Sequence, residues 1–350
     1  MSRNIFVTLR CKVLFGRNMN HTLYTGLILL FAAHFGIACS SSSSKKADDA
    51  SASTYTSKAD FSADSAYEYV KKQVAFGPRV PGTTAHTKCA NYIAGEFNRH
   101  GADTVIVQNA LVTAFTGEQL PISNILAQFN KSAKKRVLVA AHYDTRPWAD
   151  QEANAELREN PIDGANDGGS GIGVMLELAR NFGIKHPEIG VDLLAVDAED
   201  YGESSTWGYE ELTWCLGTQY WTKHMPYNAT NKPAYGIVLD MVGGRNARFH
   251  REFHSNKYAP HIVDKVWGTA ASSPYASRFI NEMGGALIDD HVFINSAGIP
   301  CIDIVECNNV VTRSFPPTWH TTSDNMKNID RESLKAAGQI VLDVLYNEKP

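Results

Sequence analysis

The chain reads as an α/β protein, a mostly parallel central sheet flanked by helices on both faces. Two observations carry that expectation. Apolar runs of strand length recur at 136–141, 191–196, 236–239 and 299–305, and segments with helical periodicity alternate with them. The first of these runs, Arg136 to Ala141, is bounded by charge and fits a strand buried on both faces.

In chain order, the first sixty residues stand apart. Arg3, Arg10, Lys12 and Arg17 precede an uncharged stretch whose apolar heart is Leu27 to Ala38. Gly36-Ile37-Ala38-Cys39 closes it, and a serine run, Lys45-Lys46 and a polar stretch to Lys58 follow. The pattern reads as a secretory signal with small residues before a cysteine. It resembles a bacterial lipoprotein signal, with Gly36 where Leu is usual, and implies lipidation of Cys39. Met19 is an alternative start. An apolar core of ~12 residues is short for a bilayer of ~30 Å, which argues against a spanning helix. The expected organisation is a lipoprotein-type signal peptide over 1–38, a Ser-rich tether over 39–60 and one catalytic domain over 61–350. The expected location is periplasmic or cell-envelope, with membrane contact only through the lipid.

The chain as a whole has ordinary globular composition, 43% hydrophobic and 20% charged. A net charge of −4 and the lack of a basic stripe exclude nucleic acid as an expected partner. Ser65-Ala66-Tyr67-Glu68 matches a capping box opening a first helix, with Tyr67, Val70 and Val74 on one face and Gly77-Pro78 as its stop. A second helix places Ala85, Cys89, Tyr92, Ile93 and Phe97 on one face and ends before Gly101. Val105–Phe115 and Ile122–Phe129 are β-rich, divided by Gly117 and Pro121. A helix runs from Ser170 to Asn181, and a terminal helix from about Asp330 carries Leu334, Ala337, Val341 and Val344 on one face. Export permits disulfides, but no Cys-x-x-Cys pair suggests structural zinc. Cys301 and Cys307 flank a strand, and six steps at ~3.3 Å separate them by about 20 Å, too far for a bond.

Function follows from what the strands end in. In open α/β sheets, ligands bind beyond the carboxyl ends of the strands. His142 and Asp144, Glu199 and Asp200, and Asp240 all sit at or just past such ends. Asp167 lies in Asp163-Gly164-Ala165-Asn166-Asp167-Gly168-Gly169, a turn that presents a carboxylate rather than packing it. His320 lies on the loop after the last strand. Any one of these fits a cap or a solvated residue. Together they crowd carboxylates at one edge, which is unfavourable unless a cation offsets them. Imidazole and carboxylate donors without thiolate suit zinc, with manganese or cobalt as alternatives. Of the neighbouring acids Glu199 and Asp200, one can bind metal while the other serves as general acid/base. A serine hydrolase is disfavoured, because Ile172 occupies the last glycine position of Gly-x-Ser-x-Gly around Ser170.

These motifs resemble one zinc superfamily in order and spacing. They are Ala141-His142-Tyr143-Asp144, the Asp167 loop, Glu199-Asp200, Leu239-Asp240-Met241, Asp289-Asp290-His291 and Trp319-His320, with the turn Phe76–Gly82. The superfamily contains the bacterial zinc aminopeptidases and the glutaminyl-peptide cyclotransferases (glutaminyl cyclases), and the likeness spans about residues 61–346. It implies the zinc aminopeptidase-like, or phosphorylase/hydrolase-like, fold. Asp289-Asp290-His291, Trp319 with Phe315, and the aromatic stretch Trp207, Tyr209, Trp214, Tyr220 and Trp221 resemble the cyclase branch. The resemblance implies one zinc on Asp167, Asp200 and His320, Glu199 as proton shuttle, and Asp240 and Asp289 as hydrogen-bonding pocket residues. Trp207, Trp214, Phe315 and Trp319 would enclose the N-terminal glutamine of a peptide or protein. The alternative is a dizinc aminopeptidase, with His142 and Asp240 completing a second metal shell and Asp167 bridging. A non-catalytic binding module would be expected to have lost ligands that this chain keeps. Two departures stand out: Asp200 where animal cyclases carry Glu, and Val292-Phe293 in place of Ile-Pro, expected to alter the pocket wall.

Overall fold

A computed structural model describes residues 55–204, 210–228 and 230–350. The expected signal peptide, residues 39–54 of the tether with Cys39, and Trp207 and Tyr209 lie outside the described residues.

Two helices come first, α1 (Ala63–Val74) and α2 (Thr84–Arg99), followed by strands β1 (Thr104–Thr113), β2 (Gln119–Phe129) and β3 (Arg136–His142). Then come α3 (Gly169–Ile184), β4 (Gly190–Val196), α4 (Leu216–Lys223) and β5 (Tyr235–Leu239). The last third holds β6 (Phe249–Arg251), α5 (Phe253–Tyr258), α6 (Pro260–Ala271), β7 (Phe279–Met283), α7 (Asp290–Ser296), β8 (Cys301–Ile304) and α8 (Arg331–Asn347). The main sheet has the order β1-β2-β4-β3-β5-β8. β4, β3, β5 and β8 pair in parallel, while β2 is antiparallel to both β1 and β4. The expectation of a mostly parallel sheet with helices on both faces holds.

Every residue of β3 and β4 is buried, as strands covered on both faces require. Val137, Val139, Ala141, Leu193, Ala195, Ile237 and Ile302 face the large core under α1, α2, α3, α6 and α8. Leu138, Ala140, Leu194, Val196 and Val238 face a thinner layer, where Trp221 of α4 and Ile294 of α7 cover them. Each Val, Leu or Ile among them contributes roughly 1.5–3 kcal/mol by leaving water. The polar exceptions on these strands are paired. Arg136 Nε donates to Asp192 Oδ2 at 3.0 Å, with both residues buried. At the open edge, the Asp303 N–H of β8 donates to Ser255 Oγ of α5 at 2.9 Å, so a helix covers what would be a free strand edge.

The structure corrects some local readings. α1 begins at Ala63, and Ser62, not Ser65, caps it by accepting from the Ser65 N–H at 3.2 Å. Phe61, just before that cap, is fully buried and fixes the entry of the chain. The strand expected over 299–305 is only Cys301–Ile304. Residues 240–300 hold three helices and two short strands beyond the alternating pattern, because helices of six or seven residues such as α5 and α7 show too few turns for a periodic signal. The aromatic stretch from Trp207 to Trp221 runs into α4. Trp221 is core there and Tyr220 stacks on His224, leaving Trp214 as the described aromatic facing the site.

β3 is the centre of the sheet, with β4 on one side and β5 on the other. The chain therefore reverses direction around β3, and a crevice opens at its carboxyl end. The α3 helix starts at the lip of this crevice.

Candidate active site

Three strand ends and three loops meet at that crevice. β3 supplies His142 and Asp144, β4 leads into Glu199 and Asp200, and β5 into Asp240. The loop before α3 brings Asp167, the cap of α7 brings Asp289, and the loop after β8 brings Trp319 and His320. They surround a cavity of about 370 Å³ lined by Asp167, Glu199, Asp200, Asp240, Asp289 and His320, with Trp214, Met241, Ala286, Leu287, Ile288, Phe315 and Trp319 as its apolar walls.

Local geometry explains how the loops approach so closely. Gly168 has φ +83°, and a Cβ there would lie 2.4 Å from the Asp144 carbonyl oxygen. A Cβ on Gly171, in the first turn of α3, would lie 2.2 Å from the Leu239 carbonyl. Glycine at both positions lets the loop holding Asp167 touch the β3 and β5 exits. Ala198, Met241 and His320 also hold left-handed backbone angles, with φ of 47°, 47° and 53°. Such strain persists where surrounding contacts over-determine it, as at functional sites.

The residues expected to hold a metal do converge. His320 Nε2 lies 3.0 Å from Asp200 Oδ1 and 3.6 Å from Asp167 Oδ2. Facing donor atoms of Asp167, Asp200 and His320 all lie within 4.8 Å of one another. Asp167 Oδ2 and Asp200 Oδ2 are buried with no hydrogen-bond partner. Buried, unsatisfied carboxylate oxygens are costly without a cation. Two carboxylates and one imidazole, with room left for another ligand, match catalytic zinc. His142, Asp167 and Asp240 form an adjoining donor set that shares Asp167. There His142 Nε2 sits 3.1 Å from Asp167 Oδ1 and 3.2 Å from Asp240 Oδ1.

The supporting contacts include residues that sequence reasoning did not single out. Asp144 accepts the backbone N–H groups of Glu199 (3.1 Å) and Asp200 (3.2 Å), tying the β3 exit to the β4 exit. Asp324 accepts those of Asn166 (2.8 Å) and Asp167 (3.0 Å). Asp150 Oδ1 lies 3.1 Å from His320 Nδ1, so the imidazole turns Nε2 toward the donor cluster. Arg146, fully buried, binds Asp150 through Nε and Nη2 (3.0 and 2.8 Å) and donates to the Asp200 carbonyl (2.9 Å). Its position two residues past Asp144, at a strand end crowded with acids, is the one sequence signal that marks it. Ser170 is structural: its Oγ accepts from the Val242 N–H at 3.0 Å.

Electrostatics separate the acids. Burial, then the negative field of Asp289, Asp200 and Asp290, raises Glu199 well above the usual carboxylate range against the opposing pull of His142. Burial alone would raise Asp167 too, but His142 and His320 bring it below its ordinary value. Asp240 is pushed up to about 7, mainly by burial. A raised acid next to lowered or metal-facing ones is the pattern of an acid/base group beside ligands. Of the triplet at 289–291, only Asp289 lines the cavity. Asp290 is fully buried and pushed up to about 8 by burial and by Asp289, and His291 Nε2 lies 3.1 Å from Glu252 Oε2.

Trp214, Phe315 and Trp319 line the cavity. Trp319 stacks on His320 with centroids 3.8 Å apart, Phe315 packs on Trp319 at 4.4 Å, and Trp214 lies nearly parallel to His320 at 6.1 Å. The expected effect of Val292-Phe293 on the pocket wall is not seen. Both residues lie within α7, and Ala286, Leu287 and Ile288 form that wall.

Comparison with known proteins agrees with the fold. The family model described as Peptidase family M28 matches residues 124–345. The crystal structure of Bacteroides thetaiotaomicron glutaminyl cyclase bound to N-acetylhistamine is similar, with 48% identity and a TM-score of 0.80, covering 83% of this chain and 99% of that one. Tannerella forsythia glutaminyl cyclase is 49% identical with a TM-score of 0.79, covering 83% of this chain and 100% of that one. A structure described as a leucine aminopeptidase precursor from Bacteroides thetaiotaomicron VPI-5482 is 48% identical with a TM-score of 0.79, covering 83% and 99%.

Proposed function

The chain belongs to peptidase family M28, a zinc-dependent group, and on that basis we propose that it is a glutaminyl-peptide cyclotransferase converting N-terminal glutamine of peptides and proteins to pyroglutamate with release of ammonia. The observation that carries this reading is one small pocket. It sets buried Glu199, whose affinity for a proton is raised, beside a two-carboxylate, one-imidazole donor set under stacked aromatic walls.

Asp167, Asp200 and His320 would hold one zinc. Bound there, it supplies a Lewis acid for the γ-amide carbonyl of the glutamine. The rest is the work of side chains. Nucleophile and electrophile belong to one residue, so the pocket has to fold that side chain back and hold it. Trp214, Phe315 and Trp319 confine it and exclude the water that would deamidate it. Asp240 and Asp289 accept hydrogen bonds from the α-amine and amide. As the α-nitrogen bonds to Cδ, Glu199 takes its proton. As the Cδ–Nε bond breaks, the same proton passes to the departing nitrogen, which leaves as ammonia. An acid whose affinity for a proton is raised by burial suits both transfers.

Mass spectrometry on a Gln-Xaa peptide incubated with the purified protein tests this. The expected result is loss of ammonia from an otherwise intact peptide, abolished by a chelator; release of the free first residue would instead establish an aminopeptidase. That second reading has one specific observation behind it, the adjoining His142–Asp167–Asp240 donor set. His142→Ala separates the two. A cyclase keeps its single zinc equivalent by elemental analysis, whereas a dizinc peptidase drops from two to one. The export-type leader further supports placement in the periplasm or cell envelope, anchored by a lipid on Cys39.

A further inference from the structure

Cys215 is an odd residue to find against the proposed proton acceptor. It precedes α4 with φ +55°, a left-handed angle unusual for a side-chain-bearing residue. The segment it begins docks on the β4 exit through successive hydrogen bonds. The N–H of Cys215 donates to the Glu199 carbonyl (2.9 Å), that of Leu216 to Ala198 (2.9 Å) and that of Gly217 to Asp197 (3.0 Å). Donors that a helix start leaves without intrahelical partners are thereby spent on the loop carrying Glu199. The fit admits no slack, since a Cβ on Gly217 would meet the Asp197 oxygen at 2.1 Å.

The side chain repeats the connection. Cys215 Sγ lies 3.2 Å from Glu199 Oε1, and among the described residues this is the hydrogen bond found on the Glu199 carboxylate. Cys215 is fully buried, while Glu199 keeps 9% of its surface exposed, toward the cavity it lines. Burial and the neighbouring acids, Glu199 first, raise the thiol well above its ordinary range, so it carries a proton to donate.

We propose that Cys215 is a positioning residue for the general base: its S–H donates to Glu199 Oε1, fixes the carboxylate's rotation and leaves the second oxygen for the substrate's amine. The inference rests on Glu199 being the proton acceptor of the cyclisation. A thiol is a weak donor, so it orients Glu199 without competing strongly for the electron pair that must take the proton.

Cys215→Ala and Cys215→Ser test this as a pair. Both pay the same left-handed backbone cost and leave similar space, but only serine can donate. With a Gln-Xaa peptide and full zinc content, Cys215→Ala is expected to lower kcat about tenfold with KM little changed, and Cys215→Ser to recover most of that loss. Equal rates in the two variants, slow or fast, would overturn the proposal. A measurement that needs neither turnover nor a change at Cys215 stands beside it: infrared difference spectra of the S–H stretching region, comparing the wild-type protein with Glu199→Gln. A shifted S–H band is expected, and an unmoved one also overturns the proposal. If the wild-type protein releases no ammonia, the cyclase reading fails instead, and the infrared result still decides whether the thiol is bound to Glu199.

Discussion

Glu199→Gln is expected to bind zinc as the wild-type protein does and to turn over on the order of 10²–10⁴-fold more slowly, the range general acid–base catalysis contributes. The substitution is nearly isosteric and removes only the ability to accept a proton. Glu199 lies outside the Asp167–Asp200–His320 donor set, so elemental analysis should find zinc unchanged. Its backbone N–H still reaches Asp144 at 3.1 Å, and its loop still receives the three bonds from the start of α4. The loss should therefore fall on kcat, with KM moving little, because the pocket walls and the hydrogen-bonding acids remain. A variant that loses zinc would move Glu199 into the ligand shell. A variant with native turnover would leave the proton transfer to Asp240 or Asp289.

How much of this was legible in the sequence depends on the range of the contact involved. The parallel strands could be read because β3, β4 and β5 are short apolar runs, and the chemistry-bearing residues stand right at their ends. Asp167 could be found because its glycines mark a turn. Residues that act by reaching across the fold left weaker marks. Asp324 holds the Asp167 loop from 157 positions away, and Asp150 orients His320 across 170; nothing in either local pattern indicates a partner. Cys215 could not be separated from ordinary buried cysteines without seeing α4 dock on the β4 exit. The aromatic stretch shows the same limit at short range. Trp214 and Trp221 are seven residues apart, about two helical turns, yet one faces the pocket and the other the core. Composition registers both identically, and only the left-handed turn at Cys215 between them decides which goes where.

His320→Ala is expected to lose zinc, and with it activity. The imidazole is the one neutral donor of its set, and without it Asp167 and Asp200 face each other as two carboxylates with one fewer ligand. Its placement is heavily determined. The backbone is left-handed, Asp150 stands behind Nδ1, and Trp319 and Trp214 lie along the ring faces. Such contacts hold a ligand in position before the metal arrives, so little affinity is lost to ordering it. Elemental analysis after dialysis checks the direct claim, and retention of a full zinc equivalent would remove His320 from the ligand set. A second reading comes from stability. A metal that binds the folded state stabilises it by about 2.7 kcal/mol at a hundredfold excess over Kd. Added zinc should therefore raise the melting temperature of the metal-stripped wild-type protein and leave that of His320→Ala nearly unmoved. Because the thermal shift reports occupancy without any substrate, it tests the ligand assignment independently of whether the reaction is cyclisation or peptide hydrolysis.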